Sequence, residues 1–265
     1  MYIKKVWAIE NASYLVSKAT NKMIPDGCLE IILIKGQGAC FTIKDLSFPC
    51  QEGVYLGGQL TASIDMEILP QSKLYFLKIY PWISPLITSF PISKTTNSIT
   101  PFSEINSQLN LRLHPGPFDF NLERCVKIFE EEVEKQSPGK NIETNVMLKS
   151  CTSLLDYTRE FSKSKKDLLL DLKISSRTLE NRFNQYIGLS PKQFANTMRL
   201  RRVVEKLLYG TVDSSLSAIS LDYGFFDQAH FIRSFKSIMG APPTKLSMEK
   251  YFIPNSDEQF RFYTI

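Results

Sequence analysis

The sequence predicts an α+β protein: an N-terminal β-barrel, then an all-helical region in which two helix-turn-helix units are joined by a long helix. Three observations carry this. Short apolar segments separated by turn residues fill residues 1–105. Helical periodicity runs over 121–135 and again from about 143 to 250. The charge is lopsided: residues 141 onward hold 18 Lys and Arg against 13 Asp and Glu, while residues 1–140 hold 14 of each. The whole net charge of +5 therefore belongs to one part of the chain, which points to a polyanionic partner for that part.

In the first part the expected strands are Leu29–Ile34, Ala39–Ile43, Gly53–Leu56 and Leu74–Tyr80. Turn chemistry separates them at Pro25-Asp26-Gly27, Gly36-Gln37-Gly38, Pro49 and Gly57-Gly58. Pro81, Pro85, Pro91 and Pro101 then break up any long element. Over 121–135, Leu122, Cys125, Val126, Phe129 and Val133 fall on one face of a helix, with Glu130, Glu131, Glu132 and Glu134 mostly opposite. That helix either lies against the barrel or serves as a dimerisation face. Ser137-Pro138-Gly139-Lys140-Asn141 closes it and marks a domain boundary. The expected division is 1–140, a β-rich regulatory domain with its trailing helix; 141–250, the helical domain; and 251–265, an aromatic tail.

The helical part carries the functional pattern. Leu216, Ile219 and Leu221 mark a short helix, and Tyr223-Gly224 breaks it. Asp227 suits the N-cap of a second helix, and Phe231, Phe235, Ile238 and Met239 give that helix an apolar stripe. Gly240 and Pro242-Pro243 end it. Its other face offers Gln228, His230, Arg233 and Lys236. Gln pairs bidentately with adenine and Arg with guanine in the major groove, and Lys meets phosphate. On any single helix such a face is more often just solvated. The same plan recurs upstream. Asp167–Leu172 is a short apolar helix, Ile174-Ser175 the turn, and Ser175 or Ser176 the N-cap of a helix over Arg177–Tyr186. That helix buries Leu179 and Phe183, offers Arg177, Glu180, Asn181 and Arg182, and ends at Gly188. Pro191 begins a connecting helix that runs to about Leu208 and includes Arg199, Arg201 and Arg202. At ~1.5 Å per residue it forms a rod of roughly 25 Å. With the flanking units, this is compatible with recognition helices ~34 Å apart, one turn of B-DNA.

The run Ile219 to Lys236 (ISLDYGFFDQAHFIRSFK), followed by Gly240-Ala241-Pro242-Pro243, resembles the AraC/XylS family of transcription regulators. Ser175 to Phe183, with Gly188-Leu189-Ser190-Pro191, resembles that family's first unit, and the resemblance spans about residues 150–248. It implies a double-stranded-DNA-binding domain. Base contacts would come from Arg177, Glu180 and Asn181, with Arg182 beside them, and from Gln228, Ala229, Ile232 and Arg233. His230 would reach a base or a phosphate, and Lys236 a phosphate. The sequence departs from the family where Leu169, Val203 and Ser220 replace usual alanines and Lys173 replaces a usual turn glycine.

The N-terminal part resembles, more faintly, the cupin-like domain that precedes this DNA-binding domain in some members. The residues that carry it are Ile24 to Ile32, Leu56-Gly57-Gly58-Gln59 and Phe76 to Trp82. A small-molecule effector pocket in the barrel is one expectation; control by a protein partner or by abundance is the other. RNA polymerase and a second copy of the chain stay open as partners. No metal or other cofactor is expected, because His114 and His230 are the only histidines. Cys28, Cys40, Cys50, Cys125 and Cys151 form no Cys-x-x-Cys pair, so neither a disulfide framework nor a four-Cys zinc site is expected. The enzyme alternative, a DNA-repair methyltransferase, needs a reactive thiol, yet Asp26 and Glu30 flank Cys28 and raise its pKa. No phosphate loop or His-based triad appears. Neither a secretory signal nor a membrane span is legible, which makes the cytoplasm the expected location.

Overall fold

The computed structural model describes residues 2–12, 21–114, 121–136, 145–153, 169, 170, 172–209 and 215–245. The strands are β1 (Ile3–Asn11), β2 (Asn21–Met23), β3 (Leu29–Lys35), β4 (Ala39–Ile43), β5 (Leu46–Cys50), β6 (Gly53–Gly57), β7 (Ile64–Ile68), β8 (Ser72–Ile79) and β9 (Ile99–Pro101). They form two antiparallel sheets, ordered β1-β8-β3-β6-β9 and β2-β7-β4-β5. The expected barrel is thus a pair of facing sheets and not a closed ring. Gly36 and Gly38, both at positive φ, carry the chain from β3 in one sheet to β4 in the other. A Cβ on Gly36 would lie 2.1 Å from the Gln71 carbonyl oxygen, and one on Gly38 2.2 Å from that of Cys50, so only glycine fits either corner. Pro49, read above as a turn residue, lies within β5, an edge strand where a missing N–H is tolerated.

The apolar runs divide by how many faces a strand buries. β3 is buried at six of its seven positions because its sheet is covered on both sides. Ile32 and Ile34 face the other sheet together with Trp7, Phe41, Met66 and Phe76, where the Trp7 and Phe76 rings stack at 3.8 Å. Leu29, Ile31 and Leu33 face a layer of helices. β4 alternates buried and half-buried residues because only one of its faces meets the core. The helical layer comprises α1 (Ser84–Ile87), α2 (Phe102–Ile105), α3 (Ser107–Leu113) and α4 (Leu122–Lys135). In α4, Cys125, Phe129 and Val133 are buried in this core, and Leu122 and Val126 pack against it half-buried.

The remaining helices are α5 (145–153), α6 (Ser176–Arg182), α7 (Pro191–Tyr209), α8 (Leu216–Asp222) and α9 (Gln228–Met239). Of the first expected short helix, Leu169, Leu170 and Leu172 are helical, while Asp167, Leu168 and Asp171 lie outside the described residues. So do the expected boundary at 137–141 and the tail. The helical part packs against the β part at several points. Ser84 Oγ donates to the Tyr186 carbonyl, Thr96 Oγ1 to that of Gly188, and Gln185 Nε2 to that of Ser89. Ser63 N–H donates to the Ile238 carbonyl at 2.7 Å. Ile24 joins the apolar cluster formed by α7, α8 and α9. Among the described residues, no helix is long and apolar enough to cross a membrane.

Candidate nucleic-acid interface

The downstream unit, α8 and α9, follows the sequence closely. Ser215 caps α8 through the Ala218 N–H, and Asp227 Oδ1 caps α9 by accepting from the His230 N–H at 2.6 Å. Gly224 turns the chain between them at φ +68°, and Gly240 ends α9 at φ +78°. Phe231, Phe235, Ile238 and Met239 are buried against Leu200, Val203 and Val204 of α7. With that stripe buried, Gln228, Ala229, Arg233 and Lys236 are left exposed. Ile232 and His230 are half-buried: Ile232 leans on the core, and the His230 ring meets Phe225 edge-on at 5.7 Å. Leu221, one of the residues that marked α8, is 66% exposed.

The upstream unit has the same plan with different joinery. Ser175 Oγ accepts from the Thr178 N–H at 3.1 Å, which settles the N-cap on Ser175. The predicted helix is regular only to Arg182; Phe183–Ile187 widens into a π-helical turn before Gly188 closes it at φ +89°. Leu179, Phe183 and Ile187 are buried with Met147 and Cys151 of α5 and Phe194 of α7. Arg177, Glu180 and Asn181 are exposed, and Arg182 is half-buried.

The departures from family pattern are absorbed. Lys173 takes the left-handed conformation of the usual glycine, at φ +52°. Leu169 packs against the unit's core, Val203 is fully buried, and Ser220, also buried, donates from its hydroxyl to the Ser217 carbonyl.

Three features escaped the sequence reading. Ser217 Oγ on α8 donates to Gln228 Oε1 at 2.8 Å and so orients the foremost amide of α9. Phe226, just before the Asp227 cap, is 89% exposed. Arg199 lies over the Phe225 ring at 5.3 Å, joining α7 to the downstream turn. None has a periodicity signal: the Ser217 and Arg199 contacts depend on elements meeting in space, and Phe226 lies in a turn.

In the β part, the residues that carried the fainter resemblance converge. Lys78 Nζ contacts Asp26 Oδ2 at 2.6 Å and Glu30 Oε1 at 3.1 Å, and Gln59 Nε2 donates to the Gly27 carbonyl. Burial alone would raise the Asp26 carboxyl, but Lys78 and Lys4 hold it well below the usual carboxylate range. Burial prevails at Glu30 and raises it. Cys28, beside them, is pushed up to about 12 by burial and then by Asp26, so its thiol is inert near neutrality. Asp26, Cys28, Glu30 and Lys78 border a cavity of about 60 Å³ whose wall includes Arg201 from α7.

Residues 170–248 match the family described as "Helix-turn-helix domain". No curated protein matches the chain. Among solved structures, the chain is similar to ToxT from Vibrio cholerae strain SCE256, determined with an unsaturated fatty acid bound. The two are 17% identical over 91% of this chain and 92% of that one, with a TM-score of 0.45. It is also similar to a probable AraC family transcriptional regulator from Rhodopseudomonas palustris CGA009: 25% identity, 38% of this chain, 93% of that one, TM-score 0.35. A third similarity is to a transcriptional regulator with an AraC-type DNA-binding domain from Chromobacterium violaceum: 26% identity, 42% and 94% coverage, TM-score 0.35.

Proposed function

We propose that the protein is a sequence-specific, DNA-binding transcription regulator whose α6 and α9 enter two successive major grooves of one duplex. The observation that carries this is α9: its apolar stripe is buried, its N-terminus is capped by Asp227, and its outward face offers Gln228, Arg233 and Lys236. Gln228, Ala229 and Arg233 read bases, with Ile232 at the margin, and Lys236 holds a phosphate. Arg177, Glu180 and Asn181 read the other groove, flanked by Arg182. Replacing Gln228 or Arg233 by Ala costs about 1–3 kcal/mol on the target site and relaxes base preference there. Lys236→Ala weakens binding evenly across sequences and flattens the salt slope by about one unit. Binding titrations on single-base variants of the site test this. Unchanged preference in both Gln228→Ala and Arg233→Ala would remove the assignment.

The β part, about residues 1–140, is the regulatory domain, and the chain acts in the cytoplasm, where the DNA is. Arg201 supports this reading, because one residue of the connecting helix forms part of a cavity otherwise lined by the β part. At about 60 Å³ the cavity holds a few waters and not a drug-sized molecule, for which about 300 Å³ is usual. An effector there is very small or widens the site, and control by a protein partner or by abundance is the competing account. A ligand at ~100 times its dissociation constant adds roughly 2.7 kcal/mol. Thermal melts against a metabolite library separate the two.

A further inference from the structure

Between the two recognition helices lies a groove of about 840 Å³. Glu180 of α6 borders one side and His230 of α9 the other, and the floor is the first half of α7, with Lys192, Asn196 and Arg199 among its residues. Positions 192, 196 and 199 are spaced i, i+4 and i+7, so they form one stripe along the helix. Other positions of α7 are committed to cores: Phe194 is buried in the upstream unit, and Leu200, Val203 and Val204 in the downstream one. The floor is also fixed in place. Ser190 and Gln193 cap the start of α7 reciprocally, with Gln193 N–H donating to Ser190 Oγ and Ser190 N–H to Gln193 Oε1. Arg199 is held over Phe225.

We propose that this groove seats the sugar–phosphate backbone between the two major grooves, with Lys192 and Asn196 as its contacts and Arg199 as a fixed positive wall. The proposal rests on the two-groove reading above. Two major grooves on one face of a duplex are separated by a minor groove and the strands that border it. Whatever surface joins two helices docked in those grooves must therefore face phosphates. A surface rich in carboxylates would repel them. Of the groove residues here, Glu180 alone is acidic, and it sits at the edge on the base-reading helix. Lys192 and Asn196 supply donors, which phosphate oxygens need, and Lys192 is fully available on the exposed side. The connecting helix is then a third contact element, one that sets register on the duplex without reading sequence.

The test uses the full chain and a duplex it selects from random sequence. Lys192→Ala should bind that duplex roughly three- to tenfold more weakly, flatten the salt slope by about one unit and keep base preference intact. Asn196→Ala should lose affinity without changing the slope, because it carries no charge. Thermal melts of both variants should match the parent, since both side chains lie outside the cores. Phosphate ethylation should interfere with binding of the parent at positions between the two sequence blocks, and Lys192→Ala should lose that interference. Interference confined to phosphates inside the blocks, or unchanged affinity and slope in Lys192→Ala, would overturn the seat while leaving the two-groove reading standing. Failure of the parent to select two blocks would bring down that reading, and the seat with it.

Discussion

The two helix-turn-helix units share a plan but are held by different neighbours. The upstream unit is fastened to the β part: its Tyr186 and Gly188 carbonyls accept hydroxyls from Ser84 and Thr96, and its last turn is π-helical. Among the described residues, the downstream unit meets the β part through a backbone hydrogen bond, Ser63 to Ile238, and through Ile24, and it packs on Leu200, Val203 and Val204 of α7. Its recognition helix is a regular α-helix of 12 residues. One unit is thus anchored by the β part, and the other by the connecting helix. A change in the β part should reach the upstream unit first.

The largest expected contrast is between the two glycines that end the recognition elements. Both have positive φ. A Cβ on Gly188 would lie 3.1 Å from Ile92 Cγ2, the Ile92 carbonyl oxygen and Thr96 Oγ1, whereas one on Gly240 would meet nothing within 4 Å. Gly188→Ala should therefore cost about 2–4 kcal/mol, from backbone strain plus crowding. Gly240→Ala should cost about 1 kcal/mol from strain alone. Urea unfolding of the full chain measures both, and equal costs would mean that the β part does not press on Gly188.

The turns invite the next comparison. Gly224→Ala in the downstream turn should destabilise by about 1 kcal/mol, because φ +68° suits glycine. Ser217→Ala touches only the downstream unit. It should leave unfolding unchanged yet cost about 1 kcal/mol, roughly fivefold, in binding at the base that Gln228 is proposed to read. An equal loss at every position of the site would show that Ser217 does not act through Gln228. The smallest effect has the opposite sign. Lys173→Gly should stabilise by about 0.5 kcal/mol, the relief of a left-handed lysine less the entropy cost of glycine. A measured loss of stability would mean that Lys173 makes contacts worth more than its strain.

The downstream unit was legible nearly residue by residue, because caps, glycines and a 3.6-residue stripe are local properties. Leu221 marks α8 but faces solvent, because it follows the buried Ile219 by two residues, about 200° around the helix. The upstream unit was legible in its cap and its end, yet its π-helical turn was not, because docking on Ser84 and Thr96 is a long-range event. In the β part, strands with uninterrupted apolar runs were visible. β1, β2, β5, β7 and β9 were missed: β2 and β9 are three residues long, and lysines, prolines and acidic residues dilute the pattern of the others. The barrel became two sheets at the Gly36 and Gly38 corners, which the sequence offered only as a turn. Pro25 to Gly27, Gln59 and Lys78 were noted as separate motifs, and only the fold brings them together, with half-buried Lys78 on Asp26 and Gln59 on the Gly27 carbonyl.

The most direct measurement is selection of bound fragments from random duplex DNA with the full chain, followed by titration of the best site at several salt concentrations. The account predicts two conserved blocks with centres about one helical turn apart, bound far more tightly than random DNA. A single conserved block, or no enrichment, would contradict it.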